Sequence, residues 1–121
     1  MTGMLEELLH ISELFDLYGA LLTEKQQKCL ELHLFEDFSL SEIAESMGIS
    51  RQAVYDMLHR SEQTMQDYEA KLGFLAQSRK VQAELAAVYE KVALLQGQEP
   101  ALQEIKDRLL GLMDKRREES I

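Results

Sequence analysis

The sequence is poor in turn formers and in cysteine, with six Gly, one Pro and one Cys among 121 residues. So few turn residues exclude an all-β sandwich, which needs them at about every dozen positions. The lone Cys29 has no partner for an internal disulfide, which fits a reducing cytosol and predicts a cytoplasmic protein. No apolar run reaches the roughly 18 residues that a membrane span requires. The start, Met1-Thr2-Gly3-Met4-Leu5-Glu6-Glu7, lacks the basic stretch of a secretion signal. Bases are scarce as well: 13 Lys and Arg face 22 Asp and Glu, a formal charge of −9. A surface of that sign cannot grip nucleic acid all over, because phosphate binding needs Lys and Arg. What is present is 45% hydrophobic and 29% charged, ordinary globular proportions that exclude wholesale disorder.

The apolar spacing is helical throughout, and the predicted fold class is all-α. Leu5, Leu8, Leu9, Ile11, Leu14, Phe15 and Tyr18 repeat at three to four residues and predict a first helix ending near Gly19. Thr23 with Gln26 forms a capping box that opens a second helix carrying Cys29, Leu30, Leu32 and Leu34. Ser39 with Glu42 forms another and opens a short helix from Leu40 to Met47, with Gly48 placed to end it. Ser50 then caps a fourth helix of about 22 residues, roughly 33 Å long. Its inward positions are Val54, Leu58, Ser61, Met65, Tyr68 and Leu72.

Gly73 predicts a break. Beyond it Phe74, Val81, Val88 and Leu95 recur every seven residues, with Leu85 and Val92 between them and Ser78 interrupting. Gly97-Gln98-Glu99-Pro100 is the strongest turn signal, and Leu102, Ile105, Leu109 and Leu112 form a further stripe. The expected organisation is a helix-turn-helix domain over residues 1–72 and a helical hairpin over residues 73–121. The heptad stripe is expected to serve two ends, packing on the last helix and the end of the fourth and forming the seam of a homodimer. The tail Lys115-Arg116-Arg117-Glu118-Glu119 reads as a solvated helix end. Charge divides along the same line: residues 1–72 hold 14 acids and 5 bases, whereas residues 73–121 hold 8 of each.

The run from Leu40 to Arg60 meets the steric demands of a helix-turn-helix. Ala44 is small where the second helix must cross closely, and Gly48 permits the sharp turn. Ile43, Met47, Ile49, Val54 and Leu58 are apolar where the two helices share a core. At the start of the second helix Arg51 and Gln52 have the chemistry for bidentate readout of guanine and adenine edges. Tyr55 and Asp56 lie one turn on and face the same way. Ser50 and Tyr55 suit phosphate, and Arg60 and a neutral His59 lie later on the helix where a backbone contact fits. Few other bases support them, so a single domain of this charge needs a second copy or a partner to hold DNA.

Four separated blocks, Tyr18–Gln26, Phe38–Glu45, Ser50–Asp56 and Tyr68–Leu72, resemble the YlxM family across roughly residues 10–75. These small bacterial helix-turn-helix proteins are similar to region 4 of RNA polymerase sigma factors. The resemblance implies a regulatory role in the signal recognition particle (SRP) protein-targeting pathway, because family members are typically encoded beside its GTPase or the receptor. Two positions depart from the family: His33 and Leu34 replace aromatic residues, and His59 stands where Lys is usual.

No catalytic arrangement is present. His10, His33 and His59 show no metal-ligand spacing, Cys29 falls on an inward stripe, and there is no Gly-rich phosphate loop. The chain is therefore expected to be non-enzymatic, without cofactor, metal or small-molecule substrate and without membrane insertion. Two functions remain open. One is a DNA-binding regulator using Ser50, Arg51, Gln52, Tyr55 and Arg60; the other is an acidic module that meets the SRP GTPase or its receptor.

Overall fold

A computed structural model describes residues 2–95 and 99–119, with side chains described for residues 3–95 and 99–113. Among these residues the chain is helical, without strands: α1 Thr2–Tyr18, a 3-10 turn Gly19–Leu21, α2 Glu24–Leu34, α3 Leu40–Met47, α4 Arg51–Leu72, α5 Phe74–Leu94 and α6 Pro100–Glu119. The chain divides into two compact units, Met1–Gly73 and Phe74–Ile121. No helix of the described residues is long and apolar enough to cross a membrane.

Local chemistry sets the helix limits in the first unit. Thr23 Oγ1 accepts from the Gln26 amide at 3.2 Å while Gln26 Oε1 accepts from the Thr23 amide at 3.0 Å. The same reciprocal pair joins Ser39 and Glu42 at 3.1 and 2.9 Å, so both helices begin with their first donors satisfied. Ser50 Oγ accepts from the Ala53 amide at 3.0 Å and opens α4. Gly48 and Gly73 close α3 and α4 with φ of 68° and 66°, the left-handed conformation that a side chain disfavours. Asp37, in the loop before α3, also has positive φ at 55°, a conformation short polar side chains tolerate.

The bond from the Ser39 amide, followed by the contact with its hydroxyl, holds the Glu42 carboxyl below the usual carboxylate range. A depressed acid contributes stability above its unfolded value and loses it as pH falls through the folded one. Glu42→Gln is accordingly expected to lower the melting temperature at neutral pH. The deficit should vanish in acid as the wild-type carboxyl protonates, which thermal melts across pH would show.

Two patches of core hold these helices. One comprises Cys29, Leu32, Ile43, Ala44 and Val54, with Phe38, Met47, Ile49, Met57 and Leu58 packed against it. It is the shared core expected of the helix-turn-helix, and Ala44 is the small residue beneath α4. Burial pushes the Cys29 thiol up, which keeps it protonated and unreactive. The other lies where α1 meets α4, with Leu14, Tyr18 and Met65 almost completely buried; Leu30 of α2 is buried to the same degree. The Tyr18 hydroxyl donates to Glu69 Oε1 at 2.6 Å, and its ring lies 5.9 Å from that of Tyr68. Ser61, also buried, donates to the Met57 carbonyl at 2.7 Å and so satisfies its hydroxyl within the helix.

Not every apolar position faces inward. Leu5, Leu8 and Leu9, expected on the buried face of the first helix, are exposed together with Met4, so that face packs only from Ile11 onward. Leu72, at the end of the α4 stripe, is exposed as well.

In the second unit α5 and α6 pack as a hairpin. The expected heptad is displaced by one residue. Phe74, Val81, Val88 and Leu95 are exposed, while Leu75 is buried and Ser78, Gln82, Leu85, Tyr89 and Val92 are half-buried. On α6, Leu102, Lys106, Leu109 and Met113 are the sheltered positions, and the expected inward Ile105 and Leu112 are exposed. The seam includes polar residues at a cost in stability: among the described residues, Gln82 Nε2 is buried without a hydrogen-bond partner. Gly97 and Gln98 of the expected turn, and the side chains of Lys115 to Glu119, lie outside the described residues.

Candidate nucleic-acid interface

The turn from α3 to α4 determines which residues of α4 are presented. Gly48 in the left-handed conformation donates its amide to the Ala44 carbonyl, and the Ile49 amide reaches the same oxygen at 3.1 Å. The chain therefore reverses tightly, Ile49 tucks against the core, and Ser50 begins α4 with its first turn uncovered. Val54 is buried and Met57 and Leu58 are half-buried, which anchors one side of the helix. Arg51, Gln52, Tyr55, His59 and Arg60 are exposed on the other.

The five candidate residues are not equivalent. Ser50 Oγ accepts from the Ala53 amide and still has its hydroxyl proton to donate to a phosphate. Arg51 is exposed and makes no ion pair or hydrogen bond among the described residues, so its guanidinium fork is available. Gln52 is occupied: its Nε2 donates to Asp56 Oδ1 at 3.0 Å, one turn on. Tyr55 is 46% exposed and stacks on His59, with ring centroids 4.0 Å apart. The His59 ring is fixed in turn by a 3.0 Å bond between Nδ1 and the Tyr55 carbonyl. Arg60 follows Arg51 by nine residues, about 13 Å along the axis and about half a turn around it. Arg51, Gln52 and Tyr55 thus share one patch, and Arg60 stands apart on the far flank.

His59, placed by the sequence reading beside Arg60 as a backbone contact, instead forms half of the exposed aromatic pair. The signal was the i, i+4 spacing of Tyr55 and His59, which puts two rings on one helix face. Asp56, expected on the same groove-facing side as Tyr55, is the acid that holds Gln52.

A family model described as "UPF0122: Putative helix-turn-helix protein, YlxM / p13 like" matches residues 5–111 of this chain. The chain belongs to the UPF0122 family. A UPF0122 protein of Streptococcus gordonii is 42% identical over 86% of this chain and 97% of its own length. Another from Desulforamulus reducens is 41% identical over 94% of this chain and 99% of its own. A third, from Halalkalibacterium halodurans, reaches 51% identity over 64% of this chain and 71% of its own. The UPF0122 match extends into the hairpin as far as residue 111, beyond the four blocks that carried the resemblance. The helix-turn-helix assignment thus rests on both the core geometry and the family.

Proposed function

We propose that this UPF0122 chain is a non-enzymatic cytoplasmic regulator that binds duplex DNA through the first turns of α4. The observation that carries the reading is Arg51: exposed, without an ion pair among the described residues, and set beside Gln52 and Tyr55 at the start of a helix-turn-helix second helix. In a major groove, Arg51 would take the O6 and N7 of a guanine in bidentate fashion. Gln52 would read an adjacent edge after releasing Asp56. The Ser50 hydroxyl, the Tyr55–His59 pair and Arg60 would meet phosphates on either side. With so few bases, one copy makes few such contacts, and self-association supplies a second set. A role in the SRP pathway is supported by the family resemblance alone.

Selection from random duplexes followed by fluorescence anisotropy tests this. The expected result is binding at low salt with a shallow salt slope, reflecting about two to four phosphate contacts per copy. No binding to any duplex at low salt overturns it. Asp56→Ala, which frees Gln52 and removes a negative charge beside the groove, is expected to tighten binding by about two- to fivefold, on the scale of one screened charge.

The charge of residues 1–72 and the exposed Met4, Leu5, Leu8 and Leu9 of α1 favour a second reading. In that reading the first unit is an interaction module for a basic protein surface, such as that of the SRP GTPase or its receptor. Capture of either at low ionic strength, lost in Leu5→Glu, supports it; capture of neither counts against it.

A further inference from the structure

The hairpin does not bury a core in this chain: among the described residues of α5 and α6 only Leu75 is buried. Six of its eight large exposed apolar groups among the described residues share one heptad position, Leu94 and Leu110 being the two that lie elsewhere. With the seam residues Leu75, Gln82 and Tyr89 as heptad a and Ser78, Leu85 and Val92 as d, the exposed Phe74, Val81, Val88 and Leu95 all fall at g. On α6, with Lys106 and Met113 as a and Leu102 and Leu109 as d, the exposed Ile105 and Leu112 also fall at g. In an antiparallel pair the g positions of both helices flank the same side of the seam. The six side chains therefore make one apolar face. The opposite side, at e, carries Arg79, Ala86 and Ala93 of α5 with Gln103 and Leu110 of α6, and is smaller and more polar.

We infer that this face is a homodimer interface, on which the hairpin of a second copy lies to complete a four-helix bundle. The inference rests on the self-association proposed above and supplies its surface. Three observations select a second copy as the occupant. The seven-residue repeat of the face is matched by another helical pair with the same repeat. Charge agrees: the hairpin segment is neutral, with 8 acids and 8 bases, so two copies meet there without the repulsion that two of the acidic first units would feel. The rim beside the face holds Glu84 and Lys91 at successive c positions, so an antiparallel α5–α5 contact sets each acid against the partner copy's base. Size also agrees. Two helices side by side, about 20 Å across and about 30 Å long, present an area on the scale of the roughly 800 Å² per partner of a stable complex. A shallow groove lined by Gln77, Val81, Glu84, Leu85 and Val88 lies on this side of α5 and would receive the opposing knobs.

Sedimentation of the full chain without nucleic acid tests the interface, so its failure is distinct from a failure of duplex binding. The wild type is expected at twice the 13.9 kDa chain mass in the micromolar range. Val81→Glu with Val88→Glu should raise the dimer dissociation constant by at least about a hundredfold while leaving the helical circular dichroism unchanged, since both positions are already exposed in the single chain. Val88→Ala, milder, should raise it by about tenfold. Ala93→Glu, on the opposite side, should leave the dimer intact. A wild type that stays monomeric, a double variant that stays dimeric, or equal dissociation by Ala93→Glu overturns the inference.

Discussion

Ile43→Ala is expected to destabilise the first unit by about 2–5 kcal/mol, the cost of emptying a fully enclosed aliphatic site. Ile43 is 0% exposed and packs in the cluster formed with Cys29 and Leu32 of α2 and Val54 of α4. Its removal therefore leaves a void bounded by three helices, none of which can close on it without breaking its own contacts. Natural domains are stable by about 5–15 kcal/mol, so this one truncation takes a large share. At about 4–8 °C per kcal/mol for a domain of this size, the melting temperature should fall by more than 8 °C. Thermal and urea melts followed by circular dichroism would measure it. Met47→Ala, at a half-buried position in the same cluster, should cost distinctly less. Equal losses at the two positions would refute the packing described.

The second large effect concerns binding. Arg51→Ala is expected to weaken duplex binding by about 5- to 150-fold per site, the range of one bidentate base contact. Stability should not change, because the side chain is exposed and makes no hydrogen bond or ion pair among the described residues. That separation makes the variant informative: a loss of affinity with an unaltered melt can only come from the interface. Arg51→Lys sharpens it further. Lysine keeps the charge but not the planar fork, so it should restore non-specific affinity and the salt slope while leaving base preference lost. Unchanged affinity in Arg51→Ala would remove the residue on which the DNA reading rests.

What could be read from the residues alone follows how local the physics is. The capping boxes at Thr23 and Ser39, the Gly48 turn and the limits of α4 were legible because each depends on groups within four residues of one another. Ala44 and the apolar set around it were legible because the helix-turn-helix fixes their offsets. The hairpin seam was not. Both the g set and the a/d set of α5 are periodic, and the g set is the more apolar because Ser78 and Gln82 interrupt the other. Hydrophobic spacing picks the greasier stripe, whereas the hairpin turns the other one toward α6. The same limit applies to Leu5, Leu8 and Leu9, whose pattern is that of a buried face but which are exposed. At the candidate site, exposure of Arg51, Gln52 and Tyr55 followed from the helix phase. The bond that restrains Gln52 required knowing that Asp56 turns back toward it.

The uneven placement of charge also bears on how such a regulator would find a target. A basic protein spends most of its time on arbitrary DNA and scans by sliding, held by its counterion-releasing contacts. A helix-turn-helix unit with 14 acids and 5 bases over residues 1–72 has little of that attraction. Its search would run through bulk solution, one collision at a time, with nearly the whole pool free rather than parked along the chromosome. Encounter would be slower than for a basic protein and would quicken as salt screens the repulsion. Occupancy would then track the number of molecules made almost directly, a property suited to a factor whose signal is its own abundance.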